Sequence, residues 1–258
     1  MRKLKNYNAN QLKYLALAFM TLDSIFFAFP NSLPSWIHLL TRFVAPLFAF
    51  FTVEGFFHTR NRHNHLRRLW LAAILMQCGD FISFFIFGLK HQITDNIFLT
   101  LALGYTVIYL LQKGKEGSKK FYYMGTLVFL LGLVLSILPL SLGAYQFALE
   151  GGLPILFTIL IFWAFYDKRR KQVLAFLAWN GLYLLLALPP LPGGYPALGL
   201  WFEEFCYNSD SLTFLFLPLL LLYNGEKGSS KPMHKWFFYI YYPLHLWVLY
   251  ILAFFLIR

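Results

Sequence analysis

The sequence predicts an all-α fold: a polytopic integral membrane helical bundle of about nine transmembrane helices, N-terminus cytoplasmic and C-terminus outside. Three observations predict it. Apolar residues fill 59% of the 258 positions, in runs that are apolar nearly all round instead of alternating with a polar face. Several runs, such as 66–89 and 236–257, approach or exceed the roughly 20 residues needed to cross a bilayer. Nearly every basic residue lies between runs, and in alternate connections only.

The spans follow in order. The first, near 12–29, comes after Arg2, Lys3, Lys5 and Lys13, a basic start that a cleaved leader would share; with eight further spans it is expected to be retained. The second, near 35–57, carries Arg42 and Pro46, and Arg60, Arg62, Arg67 and Arg68 separate it from the third, near 67–89. Lys90 alone precedes the fourth, near 93–112. Lys113, Lys115, Lys119 and Lys120 lead into the fifth, near 121–141, and the sixth, near 146–166, follows with no basic residue between. Lys168, Arg169, Arg170 and Lys171 precede the seventh, near 172–191. The eighth, near 206–223, is interrupted by Asp210, and its clean apolar run starts only at Leu212. The piece before it, 195–205, holds Glu203 and Glu204 and reads as interfacial or re-entrant. Lys227, Lys231 and Lys235 precede the ninth, near 236–257.

Of 22 Lys and Arg, 19 fall on one side, which the positive-inside rule makes the cytoplasm. The expected location is therefore a membrane facing the cytoplasm, multi-pass, with residues 1–258 as one transmembrane helical domain. The net charge of +11 is explained by orientation and by attraction to anionic headgroups of the lipid bilayer. No run interleaves basic and aromatic residues as a nucleic-acid groove does. Cys78 and Cys206 lie on different spans and define no disulfide framework.

Ionisable residues inside the spans are the candidates for chemistry, since each is costly in hydrocarbon unless it meets a partner, the bundle interior or water. They are Asp23, Arg42, Glu54, Asp80 and His245. Asp23 lies ten residues past Lys13, His245 ten past Lys235 and Asp80 twelve past Arg68. At a rise of about 1.5 Å per residue these sit roughly 15–18 Å from the inner face, near the midplane. Asn180 joins that layer, Arg42 lies nearer the outer face within reach of Asp80 or Asp23, and Glu54 lies near the inner face one turn from His58. The plain alternative is helix glue: Asp23 and Arg42 pairing to hold two spans together. Pro46 and Pro243 leave the carbonyls of Arg42 and Tyr239 without a donor, so kinks are expected beside Arg42 and His245.

At the second connection, His58, His63 and His65 accompany Arg60, Arg62, Arg67 and Arg68. That density of cations suits an anion with several phosphates. No metal-ligand spacing is diagnostic there, and no phosphate-loop, nucleophile-elbow or zinc-protease motif occurs.

The sequence resembles the TraX family of bacterial membrane proteins. The matching pieces are Leu12-Lys-Tyr-Leu-Ala16 with Met20 and Asp23, then Arg42-Phe-Val-Ala-Pro-Leu-Phe-Ala-Phe50 running into Glu54-Gly-Phe-Phe-His-Thr-Arg60. Asn96-Ile-Phe-Leu-Thr100 with Gly104, Leu222-Tyr-Asn-Gly-Glu226 and Phe238-Tyr-Ile-Tyr-Tyr-Pro-Leu-His-Leu246 follow in the same order. The resemblance implies an integral membrane acyltransferase that moves an acetyl group from acetyl-CoA to an amine or hydroxyl, as the name-giving member does to conjugative pilin. In the family pattern the aspartate is followed by His, where this chain has Ser24. That departure implies that the proton-accepting role has moved, to His245, or that activity is lost.

The expected mechanism has acetyl-CoA entering at the cytoplasmic mouth, with Arg60, Arg62, Arg67 and Arg68 on its phosphates beside Glu54 and His58. His245 acts as general base, Asp23 or Asp80 orients it, and Arg42 with Asn180 stabilises the carbonyl oxygen. The acceptor, a peptide, glycan or lipid, stays open. Two rivals remain: a proton-coupled transporter, since the same residues furnish proton relays, and a non-catalytic assembly partner that keeps the fold.

Overall fold

A computed structural model describes residues 6–88, 93, 95–138, 140–142, 145–187 and 195–256. Lys90 and the outermost basic residues Arg2, Lys3, Lys5 and Arg258 lie outside them. In chain order the elements are α1 (Ala9–Ala28), α2 (Trp36–Thr41), α3 (Val44–His58), α4 (Arg62–Phe87), α5 (Ile97–Lys115), α6 (Lys119–Ile137), β1 (Leu140–Leu142), β2 (Tyr145–Phe147), α7 (Gly152–Ala164), α8 (Arg169–Ala187), α9 (Tyr195–Tyr207), a 3-10 stretch (Ser209–Phe216), α10 (Leu217–Leu222) and α11 (Pro232–Leu256).

Each of the nine apolar stretches contains helix. Among the described residues, six helices are long and apolar enough to cross a bilayer: α1, α2 with α3, α4, α5, α6 and α11. Leu198–Tyr207 and Ser209–Leu222, bent by 63° at their break, make a seventh if they are one span. The remaining two are α7, with 13 residues, and α8, whose first turn is basic. Where the sequence suggested helix through 141 and again from 146, β1 instead pairs antiparallel with β2, Leu140 opposite Phe147. Apolar content alone does not separate the end of a helix from a short hairpin.

The chain forms two compact units, Met1–Leu47 with Val173–Arg258, and Phe48–Gln172. In the first, α1 packs on α2 and α11, and α2 also meets α9 and the 3-10 stretch. The start of α1 is fully satisfied. Asn8 and Gln11 form a reciprocal capping box, and the N–H groups of Ala9 and Asn10 donate to the carbonyls of Glu226 and Lys227 at 2.8 and 3.2 Å. These are the donors that a helix leaves orphaned at its first turn. Tyr7 pairs in parallel with Tyr223, and the Asn10 amide reaches Ser229 O at 2.9 Å. Gly228, at φ 82°, leaves no room for a Cβ, which would sit 2.6 Å from Asn8 Oδ1.

In the second unit, α5 packs against α4, α6 and α7. Small residues permit it: a Cβ on Gly104 would fall 2.4 Å from Ile159 Cδ1, the close approach by which membrane helices gain packing energy. On α4 the buried positions Leu69, Ala73, Met76, Asp80 and Ser83 recur every three or four residues, one inward stripe. The exposed Leu71, Ile74, Leu75, Ile82, Phe85 and Ile86 form the other face. A greasy exterior around a stripe holding a carboxylate is the inverse of a water-soluble helix, and it suits lipid.

Candidate active site

The first unit builds its polar centre on α2, a helix of 6 residues. His38, Thr41 and Arg42 stand at i, i+3 and i+4, which puts them on one face. That face is turned to Asp23 on α1. The helix breaks at Arg42 and Phe43 before α3 resumes at Val44, and Pro46 is the reason, since it cannot donate to the Arg42 carbonyl. The kink expected beside Arg42 is a two-residue interruption, and Trp36–His58 still serves as one span. By contrast, α11 runs unbroken through Pro243.

Asp23 is shared. Its Oδ1 meets His38 Nδ1 at 2.6 Å and accepts from Thr41 Oγ1 at 2.8 Å, and its Oδ2 accepts from Arg42 Nη2 at 2.8 Å. Arg42 Nε donates to His38 O at 3.1 Å, and Nη1 donates to Asp210 Oδ1 at 2.5 Å. With its contact to Thr41 Oγ1 at 3.1 Å, the guanidinium is held on nearly all sides. One tautomer of His38 follows. Its Nδ1 faces the carboxylate at 2.6 Å and Arg42 Nη2 at 3.0 Å; bonded to the carboxylate it carries the proton, and the neutral ring keeps its lone pair on Nε2. Phe26 stacks on the imidazole at 5.6 Å, Phe27 meets it edge-on at 4.8 Å, and Tyr207 stands at 6.2 Å. His38 and Thr41 are buried, and the Arg42 side chain is 16% exposed.

His245 occupies a separate place in the same unit. Its Nε2 lies 3.1 Å from Ser24 Oγ, and its Nδ1 lies 2.9 Å from the Tyr241 carbonyl. Tyr241 stacks on it at 5.1 Å and reaches Thr21 Oγ1 with its own hydroxyl at 2.7 Å. The imidazole that Asp23 orients is thus His38, not the expected His245. Asn180 is also engaged elsewhere, donating to Phe176 O at 2.8 Å and accepting from Thr213, so it does not assist Arg42.

The remaining candidates belong to the second unit. Asp80 is buried on α4. Near it, Gln77 bonds the Tyr145 hydroxyl at 2.5 Å and accepts from Asn96 at 3.1 Å. Burial, then the charge of Asp80, pushes the Tyr145 phenol up, against the Gln77 bond. Glu54 faces His58 at 3.7 Å. His58 Nδ1 lies 2.9 Å from Glu54 O and 3.2 Å from the Tyr166 hydroxyl, and Phe57 stacks on Tyr166 at 3.8 Å. Burial, followed by the charges of Glu54 and Asp167, pushes the Tyr166 phenol up to about 12 although Arg169 opposes it. Arg62 pairs with Glu116 at 3.5 Å and lies over the Phe56 ring at 4.4 Å. Arg60 and Arg67 are exposed, and Arg68 Nε is buried with no hydrogen bond among the described residues.

Sequence reasoning missed two members of the centre. His38 sits near the outer end of its span, where a polar residue is unremarkable, but its spacing of four from Arg42 was a usable signal. Asp210 read only as an interruption of the eighth span; it is the second carboxylate on Arg42.

Fold and centre together define a class: a multi-pass helical membrane protein with a mostly buried Asp–His–Arg cluster on its first two apolar stretches. A family model described as "TraX protein" matches residues 8–253. The chain belongs to the TraX family, as the motifs from Leu12 to Leu246 indicated. It is 30% identical over 258 residues, covering 93% of both chains, to the "Probable fimbrial assembly protein FimC, serogroup H1" of Dichelobacter nodosus. No solved structure matches it significantly.

Proposed function

We propose that this protein is a membrane acetyltransferase that modifies a pilin- or fimbria-related acceptor with acetyl-CoA as donor. The supporting observation is the Asp23 carboxylate on His38 Nδ1 at 2.6 Å, which leaves Nε2 as a base. His38 accepts the proton of the acceptor amine or hydroxyl as that group attacks the acetyl carbonyl carbon, and CoA departs as thiolate in the course of the transfer. Asp23 steadies the imidazolium that forms. Arg42 holds Asp23, and its remaining Nη1 hydrogen is the donor for the carbonyl oxygen. A CoA-phosphate role for Arg60, Arg62, Arg67 and Arg68 of the second unit is a separate part of the proposal, supported by the exposure of Arg60 and Arg67.

In this reading the protein lies in the bacterial cytoplasmic membrane as about nine spans, N-terminus inside, because 19 of 22 basic residues share one side. The name of the Dichelobacter relative favours a second reading, assembly without chemistry. Purified protein in detergent, given acetyl-CoA with and without a pilin N-terminal peptide, decides between them. Acceptor-dependent CoA release supports transfer, and its absence in an otherwise folded sample removes it.

A further inference from the structure

Asp23 and Ser24 are consecutive on α1, so their side chains leave the helix about 100° apart. One reaches α2 and His38; the other reaches α11 and His245. Ser24 and His245 are both buried, and 221 positions separate them in sequence. The Tyr241 carbonyl can only accept, so His245 Nδ1 carries a proton and Nε2 presents its lone pair to Ser24 Oγ at 3.1 Å. The Ser24 hydroxyl has a second acceptor, Met20 O at 3.0 Å. That carbonyl is already served by the backbone of α1, so the proton can turn to Nε2 without orphaning it. The Tyr241 ring stacks on the imidazole, and its bond to Thr21 ties α11 to α1 one turn from Ser24. A hydroxyl, a base in the required tautomer and a group that fixes the tautomer are the parts of an activated nucleophile.

Resting on the transfer reading above, we infer that Ser24 is that nucleophile and that the acetyl group passes through an O-acetyl-Ser24 intermediate. In acylation, Ser24 Oγ bonds the thioester carbonyl carbon, its proton passes to His245 Nε2, and the carbon–sulfur bond breaks to release CoA thiolate. In deacylation the acceptor amine attacks the ester carbon and gives its proton to His38 Nε2. The carbon–Oγ bond breaks, and Oγ recovers a proton from His245. His38 releases its proton to the medium, where the thiolate takes one up, so the sum is amide and CoA thiol. Two histidines on opposite flanks of α1 then serve the two halves of one reaction.

The test is to mix purified wild-type protein with acetyl-CoA and no acceptor, quench in acid, and map mass by peptide. The expected result is one acetyl group on the Ser24 peptide with matching CoA release, chased off when a pilin peptide is added. Ser24→Ala and His245→Gln should lose the label, with turnover down by at least ~100-fold, while Ser24→Cys should be acetylated at the new thiol. Ser24→Ala that turns over like wild type overturns the intermediate but leaves acetyl transfer standing. Label on a different residue overturns it as well. Wild type that releases no CoA even with acceptor removes the reading beneath it.

Discussion

Asp23 meets three donors, and it carries more of the centre than Asp210 does. Both carboxylates bond Arg42, but the Asp23 side chain is 21% exposed and that of Asp210 is 65% exposed. Removing one partner of a mostly buried pair strands the other charge, whereas an exposed pair is worth ~1 kcal/mol or less. Asp23→Ala should therefore cost about 3 kcal/mol in detergent unfolding, and Asp210→Asn under ~1 kcal/mol. His38→Gln, which keeps a polar side chain of similar size, should unfold like wild type yet lose about 10²- to 10⁴-fold in acceptor-dependent CoA release. Equal activity in that variant would return the base to another residue. Tyr166 gives a pH prediction. Burial, then the charges of Glu54 and Asp167, pushes its phenol up to about 12, so the fold favours the neutral form. The stability it contributes is whole below about 10 and is lost as pH rises toward 12. Tyr166→Phe should blunt the alkaline loss and remove one late-appearing phenolate from an ultraviolet titration. At this scale the sequence disclosed a residue where it was chemically out of place. Asp23, Asp80 and His245 are conspicuous among Leu and Phe, while His38, beside the loop of Pro34 and Ser35, is conspicuous only once Asp23 is found against it.

Two elements are set by single residues that hydropathy does not weigh. Pro46 ends α2 at Thr41 and lets α3 restart at Val44; without that break His38 and Arg42 would follow the axis of a straight span. Pro46→Ala restores the missing donor, and the expected outcome is a protein of equal or higher melting temperature with reduced turnover. Turnover at the wild-type level would detach the break from the site. On α5, Gly104 faces Ile159 of α7 too closely for any side chain. Gly104→Val should destabilise by about 1–3 kcal/mol, and Ile159→Ala in the same chain should recover part of that loss by emptying the contested volume. The eighth apolar stretch shows why span counting stops short of geometry. Composition finds the apolar residues of α9 and α10, but not the 63° bend between Leu198–Tyr207 and Ser209–Leu222, nor that Asp210 beside it bonds a residue 168 positions away.

At the scale of the whole chain, the alternation of basic connections was readable because it is a one-dimensional property, counted along the sequence. It predicts that a cysteine placed at Glu116 reacts with an impermeant thiol reagent only in inside-out vesicles, and one at Ser141 of β1 only in intact cells, each in a background lacking Cys78 and Cys206. Reversed accessibility would overturn the orientation. The grouping into two units was not readable, because it depends on which distant helices pack together. The second unit is one continuous segment, and the first is made from both flanks of it.

That arrangement carries a consequence for biosynthesis. Every contact His245 makes to α1 waits for α11, which starts at Pro232, and His245 itself is made 221 positions after Ser24. A nascent chain halted upstream of that point lacks the imidazole for Ser24, and one halted before Leu222 also lacks the seam that clasps Tyr7. Completion of the first unit therefore follows synthesis of the whole second unit, which lies between its two flanks in the sequence.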